Sequence, residues 1–300
     1  MQRNSLRYFV AIAEQGSLRA AADVLHISQS ALSRQIINME EELGAPLLER
    51  QPRGIGLTSA GQIFLRYARE GIAQYDLVKS ELSALQGLHR GTVCVAAPEA
   101  FTNLLLPSCM RTFRAQYPGV QIVVRIDTTR GVVADVRDGV ADFGIAYSPE
   151  LDNEMQISFS SNEEMAAIMN PRHPLAQRES LSLSELVDTP LALPIPQSAT
   201  GELIFRAARK RGIKLRAAVE SNSVHIRLWM AVHSDVVALL ARISAADALK
   251  NGEAIAVPLR ERALNSGNLC MFSLPRRRLS AAATAFQALI GRELQDMLLH

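Results

Sequence analysis

The stretch from Ser17 to Gly44 constrains this chain most, because it reads as two helices separated by a turn of about three residues. Ser17 is placed to cap a helix whose apolar face is Leu18, Ala21, Ala22 and Leu25, and this helix stops near His26. Ser28 is placed to cap the next helix, in which Leu32, Ile36, Met39 and Leu43 recur at helical spacing until Gly44 ends the run. A preceding helix over residues 6–14 carries Leu6, Phe9, Val10 and Ala13 and ends at Gly16. Helices this short are marginal alone, so they must pack as one small helix-turn-helix unit.

Beyond Gly44, the segment Ala45 to Arg50 and the segment Gln51 to Leu57, with Gly54 at the bend, read as two short strands of a wing. Thr58 opens a pattern of Ile63, Phe64, Tyr67, Ile72, Tyr75, Val78, Leu82 and Leu85, with no proline before Pro98. That spacing predicts a helix of about 30 residues, interrupted only by Gly71, and a helix so long and isolated finds a partner helix.

From Gly91 the pattern changes to strands at 93–97, 120–126, 141–146, 165–169, 191–193, 217–220 and 236–240, separated by helices at 104–116, 132–138, 201–210 and 223–231. Such alternation implies parallel sheets covered by helices, and a last helix at 281–298 that returns to the first unit. The expected fold class is therefore α+β and multi-domain. A winged helix-turn-helix occupies 1–58 and a linker or dimerisation helix 59–89, ahead of a bilobed domain at 90–300. Its two α/β subdomains resemble periplasmic binding proteins, the first lobe at about 90–162 and 267–300 and the second at about 163–266.

Composition excludes more than it assigns. At 300 residues and 48% hydrophobic content the chain can fill at least two cores, and its formal net charge is only +2. In the first 58 residues Arg3, Arg7, Arg19, Arg34, Arg50 and Arg53 are balanced by Glu14, Asp23, Glu40, Glu41, Glu42 and Glu49, so bulk charge says nothing about nucleic acid. No basic stretch followed by an apolar run opens the chain and no uncharged apolar window could span a bilayer, so a cytoplasmic location without a membrane partner is expected. Cys94, Cys109 and Cys270 lack CxxC spacing and sit among apolar neighbours, as reduced core residues do. The six histidines form no metal-ligand pair, and no GxSxG, phosphate-loop or GxGxxG element is present. Neither a metal, a cofactor nor an enzymatic activity is expected, and an exported solute-binding protein is disfavoured by the missing signal peptide.

With Leu32, Ile36 and Met39 turned inward, Gln29, Ser30, Ser33 and Arg34 point away from the core, and Asn38 lies further along. A helix fits the major groove of double-stranded DNA, where glutamine pairs with adenine and arginine with guanine. Ser28 frees first-turn amides for a phosphate, and Arg50 and Arg53 in the wing reach the backbone or the minor groove. A polar helix in a small helical domain would look similar in isolation. The order helix, helix, turn, helix, paired strands and long helix decides for DNA.

These residues resemble the LysR-type transcriptional regulators. The resemblance is carried by Phe9, Gly16-Ser17, Ala21-Ala22, Leu25, Ser28-Gln29, Ser33, Ile36, Glu40, Leu43-Gly44, Arg50, Leu57-Thr58 and Gly61. It continues through Leu106-Pro107, Phe113, Tyr117-Pro118, Asp138-Gly139, Asp142 to Ile145 and His173-Pro174-Leu175. Met39, Leu48 and Ser30 depart from the usual leucine, phenylalanine and proline, and His233-Ser234-Asp235 stands where the family often has glycines. The resemblance implies a homodimer or homotetramer with two kinds of dimer contact and a small-molecule effector between the lobes. A redox-sensing version of the family uses cysteines in the second lobe, and this lobe has none.

Ligands of bilobed α/β units sit at the carboxyl ends of strands, beside helix N-termini. The loops so placed carry Glu99 and Thr102; Thr128, Thr129 and Arg130; Ser148; Ser198 and Thr200; and Asn222 and His225. Each is equally a helix cap or turn residue. The hydroxyls and Arg130 suit a carboxylate, whereas Glu99 opposes one, so the sequence leaves the effector's charge open.

Overall fold

The computed structural model describes residues 3–51, 54–84, 91–275 and 278–298. The N-terminal body is α1 (Arg3–Gln15), α2 (Leu18–Leu25), α3 (Gln29–Leu43), the strands β1 (Leu48–Gln51) and β2 (Gly54–Leu57), and α4 (Ser59–Ala84). Ser17 accepts a hydrogen bond from the Ala20 amide and Ser28 from the Ala31 amide, and His26 and Gly44 close α2 and α3 in the left-handed conformation. Its core joins Phe9, Ile12, Ala21, Leu32, Ile36 and Met39 to Leu47 of the wing and to Phe64 and Ala68 of α4. The Phe9 and Phe64 rings meet edge to face at 4.9 Å. Burying each such ring contributes roughly 1.5–3 kcal/mol, which fastens α4 to α1.

Two details of this body differ from expectation. Ile12, rather than Ala13, is the buried residue of the last turn of α1. Leu43, the last residue of α3, is 44% exposed, and the buried stripe ends at Met39. The wing packs on the turn between α1 and α2, where the Ile55 amide donates to the Gly16 carbonyl. Gly54, at φ +122°, brings its Cα so close that a Cβ there would stand 2.6 Å from that carbonyl oxygen.

The remainder runs β3 (Gly91–Ala97), α5 (Leu105–Gln116), β4 (Val120–Ile126), α6 (Thr129–Arg137), β5 (Phe143–Tyr147) and β6 (Gln156–Glu163). It continues through β7 (Met165–Met169), β8 (Leu191–Leu193), α7 (Ala199–Lys210), β9 (Ala217–Glu220), α8 (Val224–His233), β10 (Val237–Ala241), α9 (Ala246–Lys250) and β11 (Ile255–Pro258). It closes with β12 (Gly267–Ser273) and α10 (Ala281–Leu298). One sheet has the order β4-β3-β5-β12-β6 and the other β11-β7-β10-β8-β9.

The sheets are mixed rather than parallel. β12 runs antiparallel to both its neighbours, as does β7 in the second sheet, whereas β4, β3 and β5, and likewise β10, β8 and β9, pair in parallel. The reversed strand is in each case the first one laid down after the chain crosses between sheets. Helix α10 returns to the first sheet, where Phe286 packs on Phe113 at 4.9 Å and near Phe143 at 6.3 Å.

Candidate functional site

On α3 the buried stripe Leu32, Ile36 and Met39 dictates what faces outward. Gln29, Ser30, Arg34 and Asn38 are exposed and Ser33 is half-buried. Ser28 is itself exposed, and its Oγ takes the Ala31 amide at 3.2 Å and lies 3.2 Å from the Ser30 Oγ. The first amides of α3 thus end on a polar, positively polarised surface. Ile37 is 49% exposed on the same side; its residue type signals core in the sequence, whereas an exposed apolar side chain there suits a thymine methyl group.

Arg50 is exposed on β1, and Arg53 lies outside the described residues. The acids that balanced the charge count are partly occupied elsewhere. The Glu40 carboxylate accepts the Leu47 and Leu48 amides at 2.7 and 3.1 Å, tying the wing to α3, and Glu14 stands 3.7 Å from Arg69.

Between the two sheets lies a cleft of about 420 Å³, whose walls include Thr129, Arg130, Tyr147, Ser148, Glu202 and Arg206. It is built where α6 and α7 begin, so three of the ten residues expected from the sequence meet there: Thr129, Arg130 and Ser148. Arg130 reaches across to Glu202 in the first turn of α7 at 3.1 Å, and Arg137, also on the wall, pairs with Asp152 at 2.8 Å. Arg206 has no acid partner among the described residues.

The other seven turn elsewhere. Thr128 and Ser198 cap their own helices, accepting the Gly131 and Gly201 amides at 3.2 and 3.1 Å. The Thr102 hydroxyl donates to the Glu99 carbonyl at 2.7 Å. Thr200 lies in the first turn of α7 but off the cleft wall, and Asn222 and His225 are exposed away from it. Glu99 points at α8, where its carboxylate accepts from the Ser223 hydroxyl at 2.8 Å and the Val224 amide at 2.6 Å.

Tyr147, absent from the expected set, forms part of the cleft wall. Its hydroxyl donates to the Glu163 carbonyl at 3.2 Å, and burial, reinforced by the charge of Glu163, pushes its phenol up to about 12. It is therefore a fixed, protonated donor. Gly267 opposite must lack a side chain, because a Cβ there would run into the Tyr147 ring. Ser148 follows at φ 44°, a left-handed conformation that strains a serine, and it exchanges hydrogen bonds with Asn268 at 2.6 and 3.2 Å. Glu163, at the crossover between the sheets, is 3% exposed; burial pushes its carboxyl up, against the Ile243 amide that donates to it at 2.7 Å.

Burial also pushes the Cys109 thiol up to about 12, and Cys270 shifts the same way, so neither is a reactive thiolate. Among the described residues no group of three or more His, Cys, Asp or Glu could hold a metal ion, and no helix is long and apolar enough to cross a membrane.

Residues 3–62 match the bacterial regulatory helix-turn-helix protein, lysR family, and residues 86–295 match the LysR substrate binding domain. A probable RuBisCO transcriptional regulator of Chlorokybus atmophyticus is 30% identical over 97% of this chain and 94% of its own length. One of Synechocystis sp. is 32% identical over 74% of this chain and 66% of its own length. Among solved structures, a full-length OxyR from Pseudomonas aeruginosa, a cysteine-to-aspartate variant, superimposes with a TM-score of 0.73 at 22% identity, covering 97% of this chain and 94% of its own. CbnR, a LysR family transcriptional regulator, does so with a TM-score of 0.62 at 22% identity, covering 97% and 99%. The chain belongs to the LysR family: it is a transcriptional regulator rather than an enzyme, with a helix-turn-helix that binds DNA and a domain that binds a small-molecule effector.

Proposed function

We propose that this regulator reads its operator with the exposed face of α3 and senses a small polar molecule in the cleft between α6 and α7. The observation that carries the reading is the sorting of α3 into a buried stripe and an exposed polar face that begins at a capped helix start. Gln29, Ser30, Ser33, Arg34 and Asn38 contact base edges, Ser28 and Arg50 a phosphate, and Arg53 completes the wing contact. Thr129, Arg130, Tyr147 and Ser148 hold the effector, and an anionic group on it pairs with Arg206, the cleft arginine left without an acid.

The units that divide this work are 1–58 for DNA, 59–89 for dimerisation and 90–300 for the effector, the lobes being about 90–162 with 267–300 and about 163–266. The last residues of the linker, 85–89, lie outside the described ones. Helix α4 exposes Ile63 at 62%, Tyr67 at 55%, Val78 at 53% and Leu82 at 60%, along a rod about 39 Å long. A second copy covers that stripe, giving a homodimer that carries two recognition helices and assembles further into a homotetramer in the cytoplasm.

Selection from a random DNA pool tests the reading. The native protein enriches one sequence, and Arg34→Ala loses roughly 5- to 150-fold of its preference for that sequence over unrelated DNA, with an unchanged melting temperature. Equal enrichment by both proteins would remove α3 from base recognition.

A further inference from the structure

The two lobes meet at a second place outside the cleft. After β3 the chain makes a single 3-10 turn, Glu99–Phe101, anchored by Phe101 at 1% exposure. From that anchor Glu99 extends to the N-terminus of α8, on the other sheet. Ser223 caps α8 by accepting the Ile226 amide at 3.2 Å, and Glu99 takes what the cap leaves: the Val224 amide at 2.6 Å and the Ser223 hydroxyl proton at 2.8 Å.

One turn into α8 stands Arg227, a 3% exposed guanidinium whose Nη1 makes only a long bond of 3.4 Å to the Leu239 carbonyl. Its Nε has no hydrogen-bond partner among the described residues. Burial lowers the Arg227 pKa to about 10, and the charge of Glu99 works against that lowering. A buried cation, a hydroxyl donor, a free amide and a helix dipole therefore bear on one carboxylate. These are the parts of an anion-binding site, and its occupant comes from the first lobe.

We propose that Glu99 is a tethered anion: it fills a carboxylate site on the second lobe with the first lobe's own side chain, and so latches the lobes without a ligand. With Glu99 in place, the Ser223 hydroxyl and the Val224 amide are closed to an anionic effector. Such an effector goes instead to the cleft that holds Arg206, a consequence that rests on the effector reading above, while the latch does not. Removing the side chain leaves a vacant carboxylate site rather than a mere gap.

Chemical rescue of the full-length protein, without DNA or effector, tests this. Glu99→Ala should lower the melting temperature by about 3–6 °C in chloride buffer. Acetate at tens of millimolar and matched ionic strength should return about half of that loss, because a small carboxylate can enter the vacated site. The native protein and Glu99→Gln, whose amide still fills the space, should not respond to acetate beyond chloride. If Glu99→Ala does not fold in chloride, refolding it in acetate reads the same property, and recovery in acetate alone supports the site. The proposal is overturned if Glu99→Ala melts like the native protein, if its loss ignores acetate, or if Glu99→Gln is rescued equally. None of these outcomes depends on where the effector binds.

Discussion

Helices α3 and α6 both begin behind a hydroxyl residue that caps its own helix, Ser28 on the Ala31 amide and Thr128 on the Gly131 amide, yet they reward a sequence reading very differently. On α3 one face is buried, so helical periodicity alone says which side chains point outward: of the five candidate residues on it four are exposed and Ser33 is half-buried. At the start of α6, α7 and α8 the candidates stand out only by lying at strand ends. There a hydroxyl that caps and a hydroxyl that meets a ligand have the same spelling. Only Thr129, Arg130 and Ser148 reach the cleft, while Thr128 and Ser198 serve their own helices.

Substitution can break this contrast at several strengths. The largest effect belongs to the cleft wall, where Gly267→Ala must push the Tyr147 ring aside: a loss of about 2–3 kcal/mol in chemical denaturation is expected, and a neutral result would mean that the wall yields freely. Next come two neighbouring hydroxyls. Thr128→Val should cost about 1 kcal/mol by removing the cap, whereas Thr129→Val should leave stability unchanged and alter only the response to effector. Equal costs at both positions would erase the distinction between capping and lining. The smallest effect is the ion pair across the cleft, with side chains 70% and 39% exposed. A double-mutant cycle of Arg130→Ala and Glu202→Ala should find a coupling of about 0.5 kcal/mol, reduced by salt.

Much of the fold was readable. Caps at Ser17 and Ser28, the left-handed stop at Gly44 and the strands at 165–169, 191–193 and 217–220 each follow from local chemistry. What escaped was the reversal of β7 and β12, and with it the strands β6, β11 and β12 themselves. β6 is an edge strand of sequence QISFSSNE, mostly exposed and without a clean apolar alternation, and β12 departs from a strand-helix alternation because it arrives after the chain has crossed back. Long-range partners were equally silent. Nothing near Glu99 in sequence announces Ser223 and Val224, and nothing near Glu40 marks it as the acceptor for Leu47 and Leu48. Tyr147 could have been suspected, since it ends a buried strand beside Ser148, but its fixed hydroxyl depends on Gly267, more than a hundred residues away.

Hydrogen exchange of the full-length protein on its selected operator, compared with unrelated DNA at the same salt, tests the central claim most directly. Added protection should concentrate in residues 28–38 on the operator, with the wing protected similarly on both DNAs. Operator-specific protection elsewhere, with residues 28–38 exchanging alike on both DNAs, would contradict the assignment of α3 as the element that reads sequence.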